Sequence, residues 1–160
     1  MRTRQGVEIS LMRRAGLALA IVITGTALTA CRHVPAMLHG AGATRPAAGE
    51  FGLGPRLSIG AHYVALLEPL QPLRLGQMQM VRVRLRDAKN RAVDDARIAI
   101  VGGMPQRGRG LPTHPIVTRR LGYDVYEIEG VSFDRRGWWQ LTFVITSSRG
   151  GDVVTFNFDL

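Results

Sequence analysis

Cysteine is almost absent from this chain of 160 residues, in which Cys31 is the only one. A single thiol leaves the chain without an intrachain disulfide or a multi-thiolate metal site. Lysine is just as scarce, because Lys89 stands alone and the net charge of +9 comes almost entirely from arginine. The chain also lacks a G-x-S-x-G elbow, an H-E-x-x-H motif and a Walker loop, so the commonest hydrolase and nucleotide-binding motifs are excluded. We therefore predict a protein without enzymatic activity.

The excess of positive charge extends beyond the N-terminal segment. Residues 1–30 contain four arginines and one glutamate, a sum of 4 − 1 = +3, which leaves 9 − 3 = +6 for the remainder of the chain. A positively charged protein attracts anionic partners such as lipid head groups and acidic proteins. The alternative is that a GC-rich genome accounts for the arginine content without any ligand.

Residues 1–30 have the features of a bacterial export signal. Residues 12–14 (MRR) give a cationic start, and the apolar run AGLALAIVITGTAL at 15–28 has the length of a signal-peptide core. The tetrapeptide L-T-A-C at 28–31 then matches the lipobox, in which the cysteine thiol receives a diacylglycerol. The sequence therefore predicts lipidation at Cys31, with an ordinary signal peptide and a chance cysteine as the alternative. Translation from Met12 would leave this signal complete.

Lipidation would anchor the mature chain to a membrane outside the cytoplasm. Stable anchoring needs more than one acyl chain, and bacterial lipoproteins normally carry two or three. Arg32, which follows the cysteine, stands where many lipoproteins retained at the inner membrane have aspartate. We therefore expect an extracytoplasmic lipoprotein on the periplasmic face of a membrane, with the outer membrane favoured. This location argues against nucleic acid as a partner.

The mature chain divides into a linker and one domain. Residues 31–55 are rich in alanine, glycine and proline without a helical or strand period, so we predict a flexible tether there. Residues 56–160 consist of short β-prone runs separated by turn residues at a spacing of roughly ten residues. The runs number seven, at 57–67, 80–87, 94–101, 116–120, 125–128, 138–146 and 153–160. They predict an all-β fold, an immunoglobulin-like sandwich of about seven strands.

Alternation within these runs predicts which side chains face the core. Val81, Val83 and Leu85 alternate with arginines, which is the period of a strand with one buried and one solvated face. The last run places Val154 and Phe156 on one face in the same way. The arginines of residues 80–87 are therefore expected on a solvated sheet face.

Two segments, GGMPQRGRGLPTHP at 102–115 and YDVYEIEGVSFDRRGWW at 123–139, are more specific than a strand pattern. Together they resemble the motifs of the YtkA-like and FixH-like family of small extracytoplasmic domains. There a strand ends near M-P-G-H-G-H-G-L-P-T-x-P, and G-x-Y-x-V-x-G-x-x-F-x-M-x-G-x-W follows. The matching residues are Met104, Pro105, Gly108, Gly110, Leu111, Pro112, Thr113, Pro115, Tyr126, Gly130, Phe133, Gly137 and one of Trp138 and Trp139.

The resemblance covers roughly residues 57–160 and implies a non-catalytic accessory or binding domain. In some members of the family the implied chemistry is copper handling, associated with the assembly of a respiratory cytochrome oxidase. This chain departs from the motif at the implied ligands. Arg107 and Arg109 stand at the two histidine positions and Arg135 at the methionine position, and an arginine has no lone pair for a metal.

Met104 and His114 are the metal-ligand types that remain near the first motif. Thioether and imidazole suit copper, so these two residues are the predicted copper ligands of a degenerate accessory protein for copper handling or respiratory-oxidase assembly. Met78 and Met80 would add thioethers if their strand end lies close. The alternative is that the methionines pack in the core and that His114 is an exposed loop residue.

The same segments also carry a cluster of arginines. Residues 104–120 contain no acid, and Asp134 is the only carboxylate in residues 133–136. Guanidinium groups form paired hydrogen bonds with phosphate and carboxylate. The second hypothesis is therefore a module that binds an anionic group or an acidic protein, such as a respiratory-chain partner, and solvated arginines are the alternative. The residues are Arg107, Arg109, Arg135 and Arg136, with Arg119 and Arg120 nearby in sequence.

Overall fold

The computed structural model describes residues 43–160, so the predicted signal peptide, the start of the tether and Cys31 lie outside the described residues. Two short 3-10 turns, Ala48–Glu50 and Pro105–Arg107, accompany nine strands. No helix in the described part of the chain is long and apolar enough to cross a membrane. The strands are β1 (Arg56–Leu57), β2 (Tyr63–Pro69), β3 (Met78–Asp87), β4 (Arg97–Met104), β5 (Arg109–Gly110), β6 (Ile116–Leu121), β7 (Val125–Ser132), β8 (Trp138–Ser147) and β9 (Gly150–Asp159).

The strands form two antiparallel sheets with the connectivity of an immunoglobulin domain. One sheet has the order β1-β2-β3-β7-β6 and the other β5-β4-β8-β9. Without the two-residue strands β1 and β5, this is the arrangement in which strands A, B, E and D face strands C, F and G. The predicted all-β, immunoglobulin-like sandwich is confirmed, with seven longer strands and two short additions at the sheet edges.

The core lies between the sheets, where the predicted alternation places it. Val81, Val83 and Leu85 of β3 are fully buried, and Val154 and Phe156 of β9 face them from the opposite sheet. Aromatic rings pack against one another between the layers. The edge-to-face pairs are Phe143 with Phe156 at 5.7 Å between ring centroids, Phe133 with Trp139 at 5.0 Å and Phe133 with Phe158 at 5.4 Å.

The first predicted run, residues 57–67, is not one strand. A turn separates β1 from β2, and the Asp152 carboxylate accepts hydrogen bonds there from Ser58 Oγ at 2.6 Å, Gly60 N at 2.9 Å and His62 N at 3.1 Å. Burial of Asp152 would by itself raise its pKa, but these hydrogen bonds lower the pKa to about 2. A carboxylate from β9, distant in sequence, therefore fixes a turn within an apolar run.

The structure also differs from the predicted tether over residues 43–55. Phe51 forms a β-bridge with Asn157, Gly52 N donates to the carbonyl of Asn157 at 2.8 Å, and Leu53 packs against the core. The Phe51 ring lies 6.3 Å from the ring of Trp138. Apolar contacts and backbone hydrogen bonds together hold this segment to β9 and β2, so the domain begins before residue 56.

Candidate functional site

The first motif folds as a tight hairpin between β4 and β5. Gly103 pairs with Gly110 and Met104 with Arg109, across a 3-10 turn that ends at Gly108 with a φ of 58°. A Cβ atom on Gly103 would lie 1.9 Å from the carbonyl oxygen of Arg109. Only glycine allows this backbone approach. The hairpin places the side chains of residues 106–110 in solvent.

The second motif ends β7 and starts β8. Gly130 has a φ of 82° at the point where the β3–β7 register shifts, as expected for a glycine in a β-bulge. Thr113 Oγ1 donates to the carbonyl of Gly130 at 2.6 Å and so ties the first motif to the second. Trp139 Nε1 donates to the carbonyl of Arg135 at 2.9 Å. The motif residues thus build the hairpin, the bulge and the core beneath them.

Two of the arginines of the motif segments, Arg109 and Arg135, meet over a single carboxylate. Arg109 Nη2 and Arg135 Nε both lie 3.5 Å from Asp134 Oδ2, and the side chains of both arginines are half exposed. Arg107 and Arg136 are exposed and have no ion-pair partner among residues 43–160. We call Arg107, Arg109, Arg135 and Arg136 the loop-end arginines, and with Asp134 they carry a local charge of 4 − 1 = +3.

Arg119, which the sequence places near this cluster, belongs to a different one. Arg119 Nη2 lies 2.6 Å from Glu127 Oε1, and Arg82 Nη2 lies 3.0 Å from Glu127 Oε2. The Glu127 side chain is only 2% exposed beneath the two guanidinium groups. Hydrogen bonds from Arg119 and then Arg82 lower the pKa of Glu127 below its ordinary value.

Further arginines of the same sheet face are also paired. Arg84 Nη1 lies 3.2 Å from Asp124 Oδ1, and Arg86 Nη2 lies 2.9 Å from Asp124 Oδ2. Arg120 donates to the backbone carbonyl of Asp94. We call Arg82, Arg84, Arg86 and Arg119 the sheet-face arginines. They form an ion-pair network with carboxylates, where the sequence suggested arginines that only contact water.

The two predicted copper ligands lie in different environments. Met104 is 2% exposed and belongs to the core, and a Cβ atom on Gly137 would lie only 3.0 Å from its Cε atom. His114 is exposed in the loop before β6. No group of three or more His, Cys, Asp or Glu side chains suited to a metal occurs within residues 43–160. A metal at Met104 would require this side chain to leave the core.

Sequence reasoning missed a groove between the loop that follows β2 and the start of β3. The groove has a volume of about 230 Å³ and is lined by Leu70, Gln71, Pro72, Gln77, Met78, Gln79 and Met80. Met78 is 69% exposed, so it neither packs in the core nor contacts Met104 there. The available signal was a methionine at either side of Gln79, directly after a loop rich in proline and leucine.

Comparison with known families matches residues 63–144, just over half of the chain, to the YtkA-like family. A search of the curated proteins finds no match. Among solved structures, a DUF4426 family protein from Pseudomonas aeruginosa PAO1 is similar at 12% identity and a TM-score of 0.47, over 67% of this chain and 94% of that one. The ZirS C-terminal domain is similar at 9% identity and a TM-score of 0.35, over 74% of this chain and 83% of that one.

Proposed function

We propose that this chain, which belongs to the YtkA-like family, is a non-catalytic binding module that recognises an acidic protein partner through the loop-end arginines. The observation that carries the proposal is the convergence of Arg109 and Arg135 on the single carboxylate of Asp134, beside Arg107 and Arg136. Arg109 and Arg135 share one acid, and Arg107 and Arg136 have no ion-pair partner in the described part of the chain, so most of the hydrogen-bond donors of these four guanidinium groups are available to a ligand.

The chemistry of this surface favours carboxylate groups in particular. A guanidinium donates two parallel hydrogen bonds to a carboxylate, and such charge-assisted bonds are stronger than neutral ones. The hairpin of residues 103–110 holds Arg109 by backbone pairing, which reduces the entropy lost when a partner binds. The clustered carboxylates of a partner would replace Asp134 as the hydrogen-bond acceptor of the arginines, or would surround it.

The predicted lipid anchor at Cys31 fits this role. A binding domain held to a membrane by diacylglycerol meets its partners close to the membrane surface, and two acyl chains would keep it there. Metabolic labelling with a radioactive fatty acid tests the anchor. Label is expected on the full chain and not on a Cys31→Ala variant, and label on both chains would contradict lipidation at this residue.

The binding proposal is tested by fluorescence anisotropy with a labelled polyaspartate peptide and the full chain. The combined variant Arg109→Gln/Arg135→Gln is expected to bind about tenfold more weakly, because two charge-assisted contacts are lost. Raising the salt concentration from about 50 to about 200 mM should also weaken binding to the original chain. Affinity that is unchanged in the variant would contradict the proposal.

The copper-accessory alternative is less well supported because Met104 lies in the core. Titration of the full chain with Cu(I) against a competing chelator tests it directly. We expect no tight stoichiometric binding, and no difference between the original chain and a His114→Ala variant. Tight binding that disappears in His114→Ala would restore the copper role.

A further inference from the structure

We infer that the partner carries an apolar side chain beside its carboxylates, and that this side chain fills the groove between residues 70–72 and the start of β3. The inference rests on the proposed function, because the same partner would contact the loop-end arginines. The arginines alone would not distinguish one acidic segment from another. An apolar side chain of the partner, buried in the groove, would make this distinction.

The groove exposes apolar groups that the fold leaves unburied. Leu70 is 46% exposed and Met78 is 69% exposed, and Pro72 and Met80 complete the apolar part of the lining. The polar part consists of Gln71, Gln77 and Gln79. Its volume of about 230 Å³ suits one side chain of leucine or phenylalanine size. Methionine is flexible and polarisable, so it adapts to the shape of an inserted side chain.

Backbone and amide hydrogen bonds hold the walls of the groove in place. The Gln79 side chain accepts from Arg74 N at 2.7 Å and donates to the carbonyl of Arg74 at 2.8 Å. Leu70 N donates to the carbonyl of Met80 at 3.4 Å. The loop is therefore attached to β3 at two points, which limits the entropy lost on binding.

The groove and the loop-end arginines are joined through the backbone of one segment. Met78 pairs with Ser132 across the sheet, and Gly76 N donates to the carbonyl of Phe133 at 2.7 Å. Asp134 and Arg135 follow directly along the chain. An extended partner segment that reached Arg135 would thus have the groove within a few residues.

Charge complementarity identifies the occupant as part of an acidic segment. Residues 69–80 contain no acid, and Arg74 lies exposed in the loop that forms one wall. An apolar side chain of the partner that is buried here would be surrounded by polar contacts, among them the nearby Arg74, that exclude water. An acidic segment with one large apolar residue matches both features.

The test uses two short polyaspartate peptides that differ only in a central leucine or a central alanine, and the full chain. The leucine peptide is expected to bind about tenfold more tightly, because one more large apolar side chain is buried. This advantage should disappear in Leu70→Gln/Met78→Gln, whose changes lie at the surface, and persist in Met78→Leu. Both peptides should bind more weakly to Arg109→Gln/Arg135→Gln.

The outcomes separate this inference from the proposed function. Equal affinity for the two peptides, with binding still dependent on Arg109 and Arg135, would overturn the inference and leave the proposed function standing. Binding of neither peptide would overturn the proposed function as well. Self-association in sedimentation velocity that is lost in Met78→Gln would assign the groove to a second copy of this chain, which also overturns the inference.

Discussion

The sheet-face and loop-end arginines differ in the number of carboxylates that face them. On the sheet face, Glu127 and Asp124 each receive two arginines and are themselves buried or nearly so. At the loop end, Arg109 and Arg135 share the partly exposed Asp134, and Arg107 and Arg136 have no ion-pair partner in the described part of the chain. Arginine therefore stabilises the fold in one region and offers donors without a protein partner in the other.

The difference arises from strand register and not from arginine itself. In the five-stranded sheet, β7 lies between β3 and β6, so Glu127 pairs with Arg82 on one side and Arg119 on the other. The loop-end arginines lie in a hairpin and in a connection between strands, where no neighbouring strand supplies acids. Counting arginines along the sequence does not separate these two situations.

The largest effect is expected from Glu127→Gln. The change leaves Arg82 and Arg119 facing each other without the carboxylate between them, and removal of one partner of a buried ion pair destabilises a protein. Because the arginines are half exposed, we expect a fall of about 5 to 10 °C in the melting temperature. Calorimetry of the full chain measures this. Asp134→Asn serves as the matched control and should lower the melting temperature only a little. Equal losses in the two variants would contradict the distinction between the sheet-face and the loop-end arginines.

The dependence of stability on pH should show the same distinction. The pKa of Glu127 is lowered in the folded protein from the ordinary 4.5, so the unfolded chain takes up a proton first as the pH falls. The stabilisation is complete above about pH 4.5 and is lost as the pH falls through the folded value. Glu127→Gln should therefore flatten the stability curve below about pH 5, while Asp152, with its pKa of about 2, keeps part of the slope.

Asp134→Asn should strengthen the binding of a polyaspartate peptide. The change removes the carboxylate that competes for Arg109 and Arg135, and an exposed ion pair of this kind contributes at most about 1 kcal/mol. We expect affinity to rise about threefold in an anisotropy titration. A weaker affinity would mean that Asp134 orients the arginines for the ligand instead of competing with it.

The smallest effect is expected from Arg107→Gln on stability. Arg107 lies in solvent at the hairpin turn, without an ion-pair partner in the described part of the chain. Its removal should change the free energy of unfolding by less than about 0.5 kcal/mol in urea denaturation. A loss comparable to that of Glu127→Gln would show that the loop end is also structural.

The fold could be predicted because the alternation of apolar and polar residues along a strand indicates which side chains are buried. Val81, Val83 and Leu85 lie in the core as their spacing indicates. Residues 43–55 show why prediction fails elsewhere, since their composition favours a tether, whereas contacts with β9 and β2 make docking of Phe51 and Leu53 favourable. Composition describes a segment by itself and omits the surface that it meets.

The candidate site was predicted in part. The arginines at positions 107, 109 and 135 follow from the motif, and the structure brings Arg109 and Arg135 to one carboxylate. The burial of Met104 depends on the space left by Gly137, which is distant in sequence. The pairing of Arg119 with Glu127 likewise depends on the register between β6 and β7. Contacts between strands of this kind are not visible in residue types or local spacing.

We propose that the loop-end arginines, and not the overall positive charge, bind an acidic partner. The direct measurement compares polyaspartate affinity for two double variants of the full chain that lose the same net charge. The first variant is Arg109→Gln/Arg135→Gln. The second is Arg97→Gln/Lys89→Gln, in which both changed residues are exposed and lie outside the loop end. We expect an affinity loss of about tenfold in the first variant and little change in the second. Equal losses in both variants would show that the overall positive charge governs binding and would contradict the proposal.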